Sequence, residues 1–421
     1  MSRPPKTGAS HAGNVFRFTL SGLIIFSLAL MAGAAAIAFT LAERSRPKLA
    51  DAFAVNPNDK SQSIHAGPWG QLITRDIQLE RPAEFLTEEV ARPQPEYWTF
   101  SGMKPEAVKT LLAKDGLSSA QVAAAFAPGT FKATDAATVL TPSVDFLLSL
   151  NTDTRAKLCL ALAGLGVNLY IDYPYIFPGS AVESIYADTR LNADDLALLK
   201  QLIYANGAAR QLSDYQALLG RIPTVERRVD IARALSRQSA VLAGLSIKPD
   251  TDIDKLASYW GTVPNVRFTD IRPLMEALKA LPEGGTLSLF YVLPKFARDR
   301  LYTFPLPSQS GDPVMDCHWT TFNFDNETID NRLNDPNYAV QFIQKNYYQI
   351  AAPSVYGDVL LLMNDRNEIK HSAVFLADDI VFTKNGNNYR QPWMIMRIPD
   401  LLATYPATPV MRPIYMRRKT E

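Results

Sequence analysis

The feature that most restricts how this chain can fold lies near its N-terminus, where residues 18–42 form a run of 25 residues without a charged side chain. A helix that crosses a bilayer needs about 20 mostly apolar residues. Basic residues lie on both sides of the run: Arg3, Lys6 and Arg17 before it, and Arg44, Arg46 and Lys48 after it. The run predicts a transmembrane anchor in a single-pass membrane protein, with residues 1–17 as a cytoplasmic tail. The alternative is a cleaved signal peptide, for which Ala36-Ile37-Ala38 offers a cleavage site. Either way, the remainder of the chain is expected to be extracytoplasmic, in the periplasm or outside the cell.

The composition excludes several classes of function. The 421 residues include 43 Lys and Arg against 42 Asp and Glu, which leaves no overall basic charge to attract nucleic acid. The two cysteines form no CxxC pair, and no His, Cys, Asp or Glu cluster has the spacing of zinc ligands. We therefore expect no nucleic-acid partner, no metal and no cofactor.

Beyond residue 42 the sequence pattern changes twice. Residues 43–95 are polar and proline-rich and predict a linker. Residues 96–285 show helical spacing of apolar residues and predict a mainly helical domain of unknown role. Residues 286–421 predict an α+β domain with an antiparallel sheet. Its expected elements are strands over 286–294, 357–364, 370–377 and 380–384, and a helix over about 337–346.

Cys317 is the best candidate for a nucleophile. Asp316 is a good N-cap residue, which would place the cysteine in the first turn of a helix, where the helix dipole favours a thiolate. A base must lie within hydrogen-bonding reach. His65 falls in the expected linker, and His318 is adjacent to the cysteine on a helix, where neighbouring side chains diverge by about 100°. His371, at the start of an expected strand, is therefore the preferred base.

Three segments together resemble the NlpC/P60-type papain-like cysteine hydrolases. They are RLYTFPLPSQSGDPVMDCHWTTF, YGDVLLLMN and KHSAVFLADDIVFTKNG, which cover about a third of the chain in the order Tyr, Cys, Gly-Asp, His. The resemblance implies a papain-like fold for residues 286–421, with Cys317 as nucleophile and His371 as base. It also implies that Tyr302, Asp316 and His318 lie beside the substrate or the oxyanion.

The sequence departs from the family at two points. His318-Trp319 replaces the usual Ser-Gly after the cysteine, and the third polar residue, which orients the base, has no clean match. Asn385 and Thr383 are the candidates for this third role, since a lysine such as Lys384 cannot accept the imidazole N–H. Cys159 is expected to be a core residue, although a Cys159–Cys317 disulfide would remove the nucleophile.

The resulting functional prediction is a membrane-anchored envelope hydrolase of amide or peptide bonds. The resemblance implies a peptide or peptidoglycan-like substrate, with attachment to the membrane through residues 18–42. The alternative is a non-catalytic envelope scaffold or binding protein that retains the papain-like fold.

Overall fold

The computed structural model describes residues 61–163, 165, 167–178, 181–207, 209–264, 268–306, 315–387, 389–405 and 411–419. All of them belong to one compact unit. The expected transmembrane segment, residues 18–42, and the cytoplasmic tail before it lie outside these ranges.

The expected membrane architecture is corrected by the structure. Across the described ranges, every helix is too short or too polar to cross a bilayer. The longest helices there have 12 residues, or about 18 Å at 1.5 Å per residue, whereas the hydrocarbon core is about 30 Å thick. The prediction of a single-pass membrane protein with an extracytoplasmic domain is overturned by this finding.

The strands of the described residues all pair in antiparallel fashion. They are β1 (Gln62–Gly67), β2 (Gly70–Leu79), β3 (Trp98–Ser101), β4 (Phe131–Ala133), β5 (Ala137–Leu140), β6 (Tyr175–Phe177), β7 (Tyr204–Asn206), β8 (Ala209–Leu212), β9 (Gln238–Ile247), β10 (Gly285–Ser288), β11 (Tyr347–Ile350), β12 (Val359–Met363), β13 (Ile369–Ala377), β14 (Ile380–Lys384), β15 (Trp393–Arg397) and β16 (Arg412–Arg418). They form four sheets, in the orders β1-β2-β9-β10, β11-β16-β12-β13-β14-β15, β3-β5-β4 and β6-β8-β7.

The helices are distributed among these strands along the chain. They are α1 (Ala83–Ala91), α2 (Pro105–Lys114), α3 (Ser119–Ala125), α4 (Val144–Ser149), α5 (Thr152–Ala163), α6 (Leu169–Asp172), α7 (Ala181–Tyr186), α8 (Ala193–Leu202), α9 (Tyr215–Arg221), α10 (Val225–Leu235), α11 (Ile253–Trp260), α12 (Phe268–Lys279), α13 (Lys295–Arg298), α14 (Cys317–Phe322), α15 (Pro336–Asn346) and α16 (Ile398–Thr404), with 3₁₀ helices at Leu289–Val292 and Asn331–Asn334.

The expected linker over residues 43–95 is wrong from residue 62 onward. β1 and β2 form a hairpin whose two-residue turn, Pro68-Trp69, lies between paired glycines, and Gly70 has a φ of +91° that favours glycine. β2 then pairs along its whole length with β9, and Leu72 is fully buried in the core. The Pro-Trp turn between alternating apolar residues was the signal for this hairpin.

The middle of the chain contains sheets as well as helices, and the fold as a whole is mixed α/β. Residues 80–237 lie between β2 and β9, whose end residues Leu79 and Gln238 are paired. They contain two three-stranded sheets among the helices, with their own apolar cores. The two ends of this segment are joined by an ion pair between Arg237 and Glu80 at 2.6 Å.

The six-stranded sheet contains the expected antiparallel meander. The strands predicted over 357–364, 370–377 and 380–384 are confirmed as β12, β13 and β14, and the helix predicted over 337–346 is confirmed as α15. The strand expected over 286–294 is shorter and belongs to the other sheet, where β10 pairs with β9. It ends because the Ser288 side chain accepts a hydrogen bond from the Phe290 N–H and begins a 3₁₀ turn.

One apolar core joins the four-stranded and six-stranded sheets. Leu245 of β9, Trp260 of α11 and Val374 of β13 belong to it, so it includes residues on both sides of the expected domain boundary at residue 285. The segment between β14 and β15 also contacts the middle of the chain, where the Arg390 guanidinium donates to the Tyr173 carbonyl at 2.6 Å.

Candidate functional site

Cys317 is the first residue of α14, as the sequence predicts. Asp316 is the N-cap, and its Oδ1 accepts a hydrogen bond from the Trp319 N–H at 2.7 Å. The cysteine is free and 5% exposed. No disulfide joins it to Cys159, which is also free and buried in the core between α5 and its neighbours. The Cys317 thiol therefore lies at the positive end of a helix and is largely shielded from water.

His371 lies on β13 with its imidazole fully buried beside this thiol. The charge and hydrogen bonding of this imidazole lower the pKa of the Cys317 thiol. Nε2 of His371 lies 2.9 Å from the Thr383 hydroxyl on β14, which neighbours β13 in the sheet. Nδ1 lies 2.5 Å from the Tyr405 hydroxyl, and the tyrosine ring packs against the imidazole at a centroid distance of 4.8 Å. Two hydroxyl groups thus fix the orientation of this ring.

The imidazole of His318 also lies beside the Cys317 thiol, and its charge lowers the pKa of that thiol. This was not expected, because neighbouring side chains on a helix diverge. Here the N-terminus of α14 packs against β13, and Ser372 connects the two elements: its hydroxyl donates to the Cys317 carbonyl at 3.2 Å and lies 2.9 Å from Nδ1 of His318. Since that hydroxyl proton is already used, Nδ1 of His318 is the donor. A further hydrogen bond to the backbone of Ile369 holds the imidazole along the strand.

The electrostatics favour a thiolate. Burial raises the pKa of Cys317, but the charges and hydrogen bonds of His318 and His371 outweigh it and hold that pKa well below the ordinary thiol value. Burial lowers the pKa of His318, yet the thiolate, Asp316 and the Ile369 backbone raise it to about 9. By contrast, burial raises the pKa of Cys159 to about 12. The Cys317 thiolate is therefore favoured beside the imidazolium of His318, and Cys159 remains a thiol.

Lys384 adds a positive group close to this cluster. Its side chain is 1% exposed, and its ammonium donates to the Gly386 carbonyl at 3.0 Å. Burial lowers its pKa to about 8, against the opposing effects of Cys317 and Asp316. When protonated, it adds to the positive potential around the thiolate.

Two of the expected site residues are placed elsewhere. Tyr302 has a buried hydroxyl that donates to the Val241 carbonyl of β9 at 2.5 Å, so it connects the two sheets. The Asn385 amide Nδ2 lies 3.6 Å from the Met396 sulfur. Of the two candidates for the third role, Thr383 is the one that contacts the imidazole.

Sequence reasoning did not identify Tyr405 and set His318 aside. Tyr405 follows α16 without any motif around it, so no local pattern indicated a contact with His371. For His318, the available signal was that His318-Trp319 replaces the Ser-Gly pair that usually follows the cysteine in NlpC/P60-type hydrolases.

The chemistry available to this cluster is nucleophilic. Within the described ranges, no group of three or more His, Cys, Asp or Glu side chains is placed to hold a metal ion. A buried thiolate, two imidazoles and a helix N-terminus are the components of covalent acyl transfer. No protein-family model matches the chain, and neither a curated protein nor a solved structure shows significant similarity to it.

Proposed function

We propose that this protein is a cysteine hydrolase that cleaves an amide or peptide bond, with Cys317 as nucleophile and His371 as base. The observation that supports this is the Cys317 thiol, which lies at the start of α14 between two imidazoles that lower its pKa. The sequence resemblance to NlpC/P60-type hydrolases suggests the same reaction and a peptide-like substrate.

In the proposed reaction the Cys317 thiolate attacks the carbonyl carbon, and a C–S bond forms while the carbonyl electrons move to oxygen. The backbone N–H of Cys317 is a donor for this oxyanion, because the first N–H groups of a helix have no intrahelical acceptor. The tetrahedral intermediate collapses with cleavage of the C–N bond, and His371, which takes up the thiol proton before the attack, passes it to the leaving amine. The product of this half-reaction is a thioester on Cys317.

The second half-reaction removes the thioester. Neutral His371 takes a proton from water, and the hydroxide attacks the acyl carbon. The C–S bond breaks, the carboxylic acid leaves, and the thiolate and the protonated imidazole are restored. Thr383 keeps the His371 ring in place through its hydrogen bond to Nε2.

The test is cleavage of a mixed-sequence peptide library, with new termini identified by mass spectrometry. The wild-type protein and Cys159→Ala are expected to produce the same new termini, and Cys317→Ala to produce none. Cleavage that persists in Cys317→Ala, or no cleavage by the wild-type protein, would refute the proposal.

A second candidate function is a non-catalytic peptide-binding protein. It is favoured by the full burial of His371, whose two ring nitrogens both contact hydroxyl groups. In that case, peptides from the library would be retained by the wild-type protein and by Cys317→Ala equally, without cleavage.

A further inference from the structure

A cavity separate from the thiol site opens where the ends of α15 and β16 meet the start of β12. Its volume is about 740 Å³, within the range of about 300–1,000 Å³ that is typical of small-molecule sites. Part of its wall is apolar and continuous with the main core: Val263, Phe324, Tyr356, Val359 and Val374. This wall can hold the apolar body of a small molecule.

The polar part of the lining has an excess of positive charge. Among the described residues that line the cavity, the charged side chains are four basic and two acidic ones: Lys345, Arg417, Arg418, Lys419, Asp325 and Asp358. Each acidic side chain is paired with one of the arginines, Arg417 with Asp358 at 2.7 Å and Arg418 with Asp325. The Lys419 ammonium donates to the Gln344 and Lys345 carbonyls at 3.1 and 2.8 Å, and the side chain of Lys345 is exposed. The two lysines therefore supply charge that the acidic residues of the lining do not neutralise.

A buried hydroxyl in the wall points independently to a ligand. Thr321 lines the cavity and is 2% exposed. Its Oγ1 has no hydrogen-bond partner among the residues that the structure describes. A buried hydroxyl without a partner is costly, so a hydrogen-bond acceptor on a ligand would be favoured beside it.

We propose that this cavity binds a small amphipathic carboxylate. Its apolar body lies against the core wall, a carbonyl or ether oxygen in that body accepts the Thr321 hydroxyl, and its carboxylate lies near Lys345. The cavity lining does not include Cys317, His318 or His371, so this binding is independent of the hydrolase proposal.

The test uses three probes of similar size: 4-oxo-4-phenylbutanoate, its neutral amide, and 4-phenylbutanoate, which lacks the ketone. Binding to the full chain is measured by isothermal titration calorimetry. We expect one saturable site for 4-oxo-4-phenylbutanoate and binding of the neutral amide that is about three- to tenfold weaker, as expected for the loss of a partly solvated charge interaction. Cys317→Ala is expected to bind the probe with unchanged affinity.

Three variants separate the contributions. Lys345→Glu should weaken binding of the carboxylate about three- to tenfold and leave the amide unchanged. Lys114→Glu, an exposed lysine on α2 outside the cavity, is the matched control and should change neither. Thr321→Val should weaken the ketone probe about two- to tenfold and leave 4-phenylbutanoate unchanged, because it removes one hydrogen bond.

Several results would overturn the proposal. They are the absence of saturable binding of 4-oxo-4-phenylbutanoate, equal affinities for the acid and the amide, and equal effects of Lys345→Glu and Lys114→Glu. Thr321→Val removes a buried hydroxyl that has no partner among the described residues, so its thermal unfolding midpoint should be no lower than that of the wild-type protein, and its binding result remains interpretable.

Discussion

Replacement of His318 by glutamine tests whether this second imidazole activates the thiol. Glutamine preserves a donor for the Ser372 hydroxyl but carries no charge. The contacts of His318 raise its pKa from 6.5 to about 9, and the Cys317 thiolate is the main favourable one. By reciprocity, loss of that contact should raise the pKa of Cys317, and each unit of that rise corresponds to about 1.4 kcal/mol of lost thiolate stabilisation.

The pH dependence of iodoacetamide alkylation, followed by mass spectrometry of the intact protein, measures this change. Burial raises the pKa of Cys159 to about 12, so Cys159 should remain unmodified and the reaction reports on Cys317. In the wild-type protein the alkylation midpoint should lie well below the usual thiol value of about 8.5. In His318→Gln it should rise toward that value.

His65→Gln is the matched control, because His65 is exposed on β1 and contacts Asp378 at 2.5 Å rather than the thiol. It should leave the midpoint unchanged. A shift in His318→Gln smaller than about half a unit, or a wild-type midpoint near 8.5, would refute the role assigned to His318.

Three further predictions concern stability, each measured by equilibrium urea unfolding. Thr383→Val should cost about 1–3 kcal/mol, because Nε2 of buried His371 loses its partner, whereas Thr383→Ser should cost less; equal losses would contradict this. Burial, with the charge of Asp214, raises the pKa of Glu96 to about 8, so the native state binds a proton that the unfolded state releases once the pH exceeds about 4.5. Stability should therefore fall as the pH rises from about 5 to 8, and Glu96→Gln should abolish this fall and be more stable at pH 8.5 by about 1–4 kcal/mol. Arg155→Met should cost about 3–5 kcal/mol by leaving the buried carboxylate of Asp214 without its ion pair, and a neutral result would refute the importance of that pair.

Local sequence signals were sufficient for the part of the chain around the thiol. Asp316 is a strong N-cap residue, and nearly continuous apolar runs separated by short turns specify the hairpins of β12, β13 and β14. The register of β13 and β14 then brings Thr383 to His371, and proximity in sequence made that residue one of two candidates.

Long-range contacts could not be read in the same way. The pairing of β2 with β9 joins residues that are far apart in sequence, and no local pattern indicates which strand will be the partner. The contact of Tyr405 with His371 depends on how α16 packs against the sheet. The expectation that the side chains of Cys317 and His318 diverge is correct for an isolated helix. Here β13 lies across the N-terminus of α14, and Ser372 contacts both of these residues.

The direct pairing of Leu79 with Gln238 has an evolutionary consequence. Residues 80–237 occupy the place of a hairpin loop between two adjacent strands, and their ends lie side by side. An ancestral chain could have connected these strands by a short turn and gained the segment later in one event, since exposed turns accept whole domains without disturbing the sheet. Relatives that lack this block are therefore expected to keep both large sheets and the thiol cluster. In this protein residues 80–237 also contact the rest of the fold near the thiol cluster, because Arg390, a few residues beyond Thr383, donates a hydrogen bond to the Tyr173 carbonyl.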